Sequence, residues 1–239
     1  MPIPIYLAMT PAEFLTCPQL PHRVGWMSCH FSSGHDGLCN LPEQLPPDSL
    51  LILDDSTPYQ SHDPHRILSQ LCDVANALQP KALLLDFQRP HKDELSALTQ
   101  RVVGDFPCTV VVSSCYAGTL DCPIFLPPSP LWQPLEEYLS PHRGREIWLD
   151  AAPVAACVAV TADGAQYAPL MNGVTLEAPQ LDSGLHCHYQ IKTEETQITF
   201  TLERRKENLK TWLSEAQSLG VAAAVGLYQE LWNSRLDEI

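Results

Sequence analysis

Polar side chains that could bind or activate a ligand stand directly after several short apolar runs of this sequence. Asp54 and Asp55 follow the run Leu50–Leu53, and Asp86 and Gln88 follow the next such run. The same kind of position is held further along the chain by Tyr116, Asp150, Gln229 and Glu230. Paired carboxyl groups can exchange protons with a substrate, and amide and phenol groups can donate hydrogen bonds to its oxygen atoms.

These residues can act together only if the apolar runs form neighbouring strands. Continuous apolar runs of this length are typical of strands buried on both faces, and apolar residues spaced three or four apart are typical of helices. The predicted strands are Ile3–Met9, Val24–Phe31, Leu50–Leu53, Lys81–Asp86, Thr109–Ser113, Pro123–Leu126, Glu146–Leu149 and Val221–Leu227. The predicted helices are one that begins at Pro11, then Asp63–Leu78, Lys92–Val103, Leu131–Leu139 and Lys206–Leu219.

Strands that alternate with helices favour an α/β fold with a parallel sheet. Because eight strands are predicted and the chain has 239 residues, we expect an irregular (β/α)8 barrel of the TIM type, formed by residues 1–239 as a single domain. An open, doubly wound sheet is the structural alternative. In the barrel, the residues that follow the strands converge on one face.

The segment 155–202 departs from this alternation. It contains two stretches of alternating apolar and polar residues, the first of which turns at Asp163-Gly164, a dipeptide typical of tight hairpins. We therefore predict a β-rich insertion of antiparallel strands over residues 155–202, placed before the last helix and strand.

The run Ala82-Leu83-Leu84-Leu85-Asp86-Phe87-Gln88 resembles the fourth-strand motif of family 18 glycoside hydrolases, the chitinase-like barrels. That motif reads Asp-x-x-Asp-x-Glu, in which the Glu is the general acid and the preceding Asp orients both the acid and the acetamido group of the substrate. Asp86 matches the inner Asp and Phe87 the customary aromatic residue. The β-rich insertion and the segment Gly220–Leu227 are similar to the inserted module and the last strand of those enzymes.

The sequence departs from this motif at two positions. Leu83 stands where the family has its first Asp, and Gln88 stands where it has the acid. A glutamine amide donates hydrogen bonds but cannot deliver the proton that cleavage of a glycosidic bond requires. The resemblance therefore implies that the standard reaction is lost, or that it depends on acids at other positions, for which the candidates are Asp54, Asp55, Asp86, Asp150 and Glu230.

Charge and composition limit the partners. The chain has 14 basic and 28 acidic residues, a formal net charge of −14, and its basic residues are scattered. Nucleic acids and anionic membranes are poor partners for such a surface. No apolar run approaches the roughly 20 residues that span a bilayer, and nothing resembles a signal peptide. We expect a cytoplasmic protein whose nine cysteines are free thiols.

The sequence gives no positive sign of a metal or a cofactor. Cys29, His30, His35, Asp36 and Cys39 lie close together, and His186-Cys187-His188 lies far downstream. Zinc accepts these types of ligand, but the spacing matches no recognised zinc motif. We therefore predict no metal site, and no glycine-rich loop for a nucleotide cofactor is present.

The leading functional hypothesis is a glycoside-hydrolase-like barrel that binds a carbohydrate and whose hydrolytic activity is lost or uncertain. Asp86, Gln88 and Glu230 are the predicted catalytic positions. The predicted substrate-binding residues are Asp54, Asp55, Tyr116, Asp150 and Gln229. Two alternatives remain: a hydrolase with relocated acids, and a non-enzymatic interaction scaffold that binds its partner through the insertion. A scaffold should have a plugged barrel and an exposed apolar patch elsewhere.

Overall fold

A computed structural model describes residues 3–34, 37–60, 63–90, 92–170 and 174–232. The strands are β1 (Ile5–Met9), β2 (Val24–Phe31), β3 (Leu38–Cys39), β4 (Leu50–Asp54), β5 (Ala82–Asp86), β6 (Thr109–Ser113), β7 (Ile124–Leu126), β8 (Ile147–Asp150), β9 (Val154–Thr161), β10 (Gly164–Pro169), β11 (Gln180–Asp182), β12 (Cys187–Thr193), β13 (Gln197–Arg204) and β14 (Ala223–Leu227). The helices are α1 (Pro11–Thr16), α2 (Pro64–Leu78), α3 (Asp93–Asp105), α4 (Ser114–Ala117), α5 (Leu135–Leu139), α6 (Lys206–Ser218) and α7 (Tyr228–Leu231).

Eight parallel strands close into a barrel, in the order β1, β2, β4, β5, β6, β7, β8 and β14. The barrel is closed because β1 pairs with both β2 and β14. The short strand β3 adds to the sheet by antiparallel pairing with β2. This confirms the predicted (β/α)8 barrel over the open sheet. The barrel is irregular, since the described residues between β2 and β4 form no helix and only the four-residue helix α4 separates β6 from β7.

The barrel strands bury side chains on both faces, as their continuous apolar runs predict. Alternate residues point to opposite sides of a strand. One set fills the barrel interior, where Tyr6 and Trp148 stack with their ring centroids 5.4 Å apart. The other set, which includes Leu51 and Leu83, packs against helix residues such as Ile67.

The β-rich insertion is a separate five-stranded antiparallel sheet with the order β10-β9-β13-β12-β11. It begins at Val154 and ends at Arg204, close to the predicted limits, and lies in the chain between β8 and α6. The predicted hairpin joins β9 to β10, and its turn lies one residue earlier than expected, at Ala162-Asp163, because Gly164 already pairs with Thr161 as the first residue of β10. Residues 171–173 of this segment lie outside the described part of the chain.

Local sequence signals explain where α1 begins and why α5 begins late. Thr10 and Glu13 form the capping box that the sequence predicts for α1: the Glu13 backbone N–H donates to Thr10 Oγ1 (3.2 Å) and the Thr10 backbone N–H donates to Glu13 Oε2 (2.8 Å). The prediction of a helix from Leu131 was wrong, because α5 begins at Leu135. The reason is Pro134, whose ring disfavours helical backbone at the preceding residue.

None of the helices in the described part of the chain has the length and apolar composition needed to span a bilayer.

Candidate functional site

Three aspartates lie at the carboxyl ends of barrel strands and point inward. Asp54 at the end of β4 stands opposite Asp86 at the end of β5, and Asp150 at the end of β8 stands opposite Val225 of β14. On each of the three strands, the residue two positions earlier (Ile52, Leu84 or Trp148) belongs to the barrel interior. Because side chains alternate along a strand, the aspartates continue that interior as a polar top layer.

A cavity of about 280 Å³ opens at this end of the barrel, and we call it the barrel mouth. Its polar lining is Asp54, Asp86, Gln88, Asp150 and Glu230, and its apolar lining is Ala8, Met27, Ile52, Leu84, Phe125, Ala152, Val225, Gly226 and Leu227. The volume lies just below the range of about 300–1,000 Å³ that is usual for small-molecule sites. The barrel is therefore not plugged at the end where TIM-barrel enzymes carry their active sites.

The environment of Asp150 favours its protonated form. Burial, followed by the negative charge of Asp86, raises the pKa of Asp150 from 3.8 to about 7. The charge of Glu230 acts in the same direction, and the hydrogen bond that Asp150 Oδ1 accepts from the Ala152 N–H (3.1 Å) opposes it. A carboxyl group with a pKa near neutrality can both hold and release a proton under ordinary conditions.

Asp86 is paired with Gln88 across the intervening Phe87. Gln88 Nε2 donates a hydrogen bond to Asp86 Oδ1 at 2.9 Å. Burial raises the pKa of Asp86, the bond from Gln88 lowers it, and the charges of Asp54 and Asp55 raise it further. The amide at position 88 is thus a hydrogen-bond donor to the carboxylate, and Asp86 is the acceptor.

Asp55 does not line the barrel mouth, although its neighbour Asp54 does. Its side chain is buried and accepts hydrogen bonds from the backbone N–H groups of Gln88 (3.1 Å) and Arg89 (2.9 Å). Asp55 therefore holds the chain that follows β5 in place. In this structure it positions Gln88 and has no surface for a ligand.

Glu230 reaches the barrel mouth from α7, immediately after β14. Among the described residues its Oε2 atom is buried without a hydrogen-bond partner. Burial raises the pKa of Glu230, and the charge of Lys206 lowers it. The adjacent Gln229 is exposed and does not line the cavity.

Tyr116 lies in the hydrophobic core beside the site. Its ring packs edge-on against Phe87, with centroids 5.7 Å apart, and its hydroxyl donates to the Pro90 carbonyl oxygen at 3.2 Å.

A smaller cavity of about 120 Å³ lies beside the barrel mouth and also touches Asp86 and Gln88. It is lined by the residues that precede Tyr116, which are Ser113, Ser114 and Cys115. Sequence reasoning missed Phe125, which lines both cavities from β7. The sequence could have indicated Phe125, because it lies within the predicted strand and alternation along the strand turns it inward.

No described tryptophan lines the barrel mouth. Trp148 fills the barrel interior, and Trp212 is buried with the Arg204 guanidinium 4.8 Å above its ring. Trp132 is 41% exposed and packs against Tyr167 of the insertion, with ring centroids 4.6 Å apart. Two apolar grooves of about 460 and 390 Å³ flank Trp132 on the insertion.

Of the residues considered for zinc, His30 and Cys39 stand opposite each other on β2 and β3. Within the described ranges, no three His, Cys, Asp or Glu side chains are grouped closely enough to hold a metal ion. His35 and Asp36 lie outside those ranges. Downstream, His186 contacts Glu215, and His188 Nδ1 lies 3.2 Å from Asn208 Oδ1. These contacts join the insertion to α6.

The chain is similar in structure to several solved glycoside hydrolases. A Glu-to-Gln mutant of a class V chitinase from Nicotiana tobaccum, in complex with NAG4, superposes with a TM-score of 0.62 at 9% identity, over 100% of this chain and 97% of that chain. A GH18 chitinase from Cycas revoluta in complex with (GlcNAc)3 gives a TM-score of 0.58 at 8% identity, over 98% and 97%. The spore cortex-lytic enzyme SleL of Bacillus cereus gives 0.54 at 8%, over 99% and 74%.

At these identities, the likeness establishes a distant chitinase-like TIM barrel as the fold. No protein-family model matches the chain, and no curated protein matches it in sequence. The fold expected from the fourth-strand motif and the insertion is thus confirmed, while the roles of the individual residues rest on the geometry of the barrel mouth.

Proposed function

We propose that this protein binds an oligosaccharide of amino sugars in the barrel mouth and does not cleave it by the standard route of family 18 glycoside hydrolases. One observation carries the proposal: Asp54, Asp86, Asp150 and Glu230 surround an open cavity at the carboxyl end of a chitinase-like barrel. Carboxylates and the Gln88 amide can bind sugar hydroxyl and amide groups. Structural neighbours hold NAG4 or (GlcNAc)3, which makes this ligand class the first to test.

The loss of standard hydrolysis follows from Gln88. In the family 18 motif, the residue that corresponds to position 88 delivers the proton to the leaving oxygen. An amide N–H is not acidic enough to transfer a proton at neutral pH. The hydrogen bond from Gln88 Nε2 to Asp86 Oδ1 keeps Asp86 oriented as an acceptor. Such a site retains the groups that bind a sugar and lacks the group that protonates it.

A hydrolase with relocated acids is the second candidate, and Asp150 is the observation that favours it. Its pKa of about 7 makes it a possible proton donor, and Asp86 is close enough for its charge to contribute to that value. A protonated acid and an ionised partner are the pair that glycoside cleavage requires. Under this candidate, Asp150→Asn abolishes any release of reducing ends, whereas Gln88→Ala leaves it largely intact.

The interaction scaffold is the third candidate, supported by apolar exposure on the insertion. Tyr167 is 53% exposed, and Leu181, Ile191 and Ile198 of the same sheet are also exposed. The open barrel mouth argues against a barrel that serves only as a scaffold. A partner on the insertion would be lost with Tyr167→Ser and unaffected by changes at Asp86.

The experiment that tests the proposal is calorimetric titration of the purified chain with (GlcNAc)4, together with an assay for released reducing ends. The proposal expects saturable binding that Asp86→Ala weakens at least about tenfold, and no turnover. Thermal melting of each variant without ligand shows whether it folds. A rise in melting temperature on addition of (GlcNAc)4 then reports binding, because a ligand stabilises the state that binds it. Binding of neither (GlcNAc)4 nor its deacetylated counterpart, in a chain that melts cooperatively, contradicts the proposal.

A further inference from the structure

The barrel mouth is lined by four carboxyl groups and, among the described residues, by no basic side chain. The four are Asp54, Asp86, Asp150 and Glu230, which come from β4, β5, β8 and α7. Lys206 acts on Glu230 by its charge but does not line the cavity. The lining of this cavity is therefore strongly acidic.

Neighbouring carboxylates in a confined space repel one another, and burial makes each charge more costly. Both effects operate here, because burial raises the pKa of Asp86, Asp150 and Glu230, and the charge of Asp86 adds to the effect on Asp150. Buried charges in proteins are normally paired with an opposite charge or a metal. Among the described residues that line the barrel mouth there is no such partner, and Lys206 acts on Glu230 only from outside the cavity.

One carboxylate oxygen in the barrel mouth also lacks a hydrogen-bond donor among the described residues. Asp86 accepts from Gln88 and Asp150 accepts from the Ala152 N–H, but Glu230 Oε2 is buried and accepts from no described residue. A ligand that brings several donors on one positive group would supply both the missing charge and the missing hydrogen bonds. An ammonium group has three donors, whereas an N-acetyl group has one N–H and no charge.

We propose that the barrel mouth prefers amino sugars whose amino group is free, such as the glucosamine units of a deacetylated chitooligosaccharide, over their N-acetylated counterparts. This inference rests on the proposed function, since it names the chemical form of the sugar that the same cavity binds. The ammonium group of one unit lies among Asp86, Asp150 and Glu230, and the Gln88 amide remains available to a sugar oxygen.

The test compares two ligands of equal length, tetraglucosamine and (GlcNAc)4, by calorimetric titration of the intact chain at pH 6 and low ionic strength, where the amino groups of tetraglucosamine are largely protonated. The expected result is a dissociation constant at least about tenfold lower for tetraglucosamine. Glu230→Gln and Asp150→Asn should each weaken the binding of tetraglucosamine more than the binding of (GlcNAc)4, and so reduce the preference between the two ligands. Asp105→Asn, an exposed acid at the end of α3, is the matched control for net charge and should leave the preference unchanged.

Each outcome separates this inference from the proposed function. Equal or tighter binding of (GlcNAc)4 overturns the preference for a free amine and leaves the proposed function standing. Tighter binding of tetraglucosamine that Asp105→Asn reduces as much as Glu230→Gln indicates attraction to the acidic surface, which also overturns the inference. Absence of binding by both sugars overturns the proposed function itself.

Discussion

The buried carboxylate of Asp55 accepts a hydrogen bond from the backbone N–H of Gln88 at 3.1 Å, and its second oxygen accepts one from Arg89 at 2.9 Å. The contact crosses from the end of β4 to the chain that follows β5. It fixes the backbone from which Gln88 reaches Asp86. The geometry of the barrel mouth thus depends on a residue that does not line it.

Asp55→Asn should destabilise the fold. The variant keeps one oxygen acceptor, but its NH2 group faces a backbone N–H that then has no acceptor. A buried donor without a partner costs about 1–3 kcal/mol. Urea denaturation should therefore show a loss in the free energy of unfolding on the order of 2 kcal/mol. Asp54→Asn is the control: among the described residues Asp54 accepts a single hydrogen bond, a local one from the Ser56 N–H (2.8 Å), so the variant should change stability by less than about 0.5 kcal/mol. Equal stability of the two variants would contradict the assigned role of Asp55.

Asp150→Asn should stabilise the protein at alkaline pH. The folded-state pKa of about 7 lies above the ordinary value of 3.8, so between these values the folded chain binds more protons than the unfolded chain. Stability contributed by Asp150 therefore falls as pH rises from about 4 to 7. Asparagine does not ionise and can still accept the Ala152 N–H. We expect a gain on the order of 2 kcal/mol at pH 8 and almost none at pH 4. Denaturation at both pH values checks this, and a gain that is independent of pH would contradict the raised pKa.

Gln88→Glu should introduce hydrolysis of (GlcNAc)4. The new carboxyl group would lie beside Asp86, at the distance of the present 2.9 Å hydrogen bond, and the pair would share a proton. A positioned general acid contributes about 10²–10⁴-fold to such reactions. Release of reducing ends should appear in this variant and be absent in Gln88→Ala. Binding of (GlcNAc)4 without turnover in Gln88→Glu would show that position 88 is not the place of the acid.

Gly226→Ala should destabilise the barrel, because a Cβ atom at this position would clash with the buried side chain of Leu231. Overpacking of this kind costs about 1–3 kcal/mol. Gly104→Ala is the contrasting variant: it lies in α3 with nothing within 4 Å of the added atom and should stabilise the helix by up to about 1 kcal/mol. Thermal melts of the two variants should move in opposite directions. A shift in the same direction would mean that Leu231 makes room without cost.

The sequence predicts the barrel because its strands are buried on both faces and read as continuous apolar runs. It also predicts that residues at the strand ends gather on one face, and Asp54, Asp86, Asp150 and Glu230 do line one cavity. The presence of a β-rich insertion was predictable from the change to alternating residues and from the Asp163-Gly164 dipeptide beside the turn between β9 and β10.

Which residues at the strand ends line the cavity depends on the direction in which each side chain points, and a single sequence does not show that direction. Asp54 and Asp55 are adjacent and chemically identical, yet one lines the cavity and the other binds backbone N–H groups outside it. Tyr116 follows a strand as Asp150 does, but the short helix α4 turns its side chain into the core. The direction of Asp54 depends on how β4 sits in the barrel, which arises from pairing over long distances in the chain, whereas the direction of Tyr116 depends on α4.

The measurement that tests the account most directly is calorimetric titration of the wild-type chain and of Asp86→Ala with (GlcNAc)4 and tetraglucosamine. If the barrel mouth is a sugar site, the wild type should bind at least one of these sugars saturably. It predicts affinity at least about tenfold weaker in Asp86→Ala, with a melting temperature no lower than that of the wild type, because removal of a buried carboxylate of raised pKa relieves repulsion. Binding that survives Asp86→Ala unchanged, or no binding at all, would contradict a sugar site in the barrel mouth.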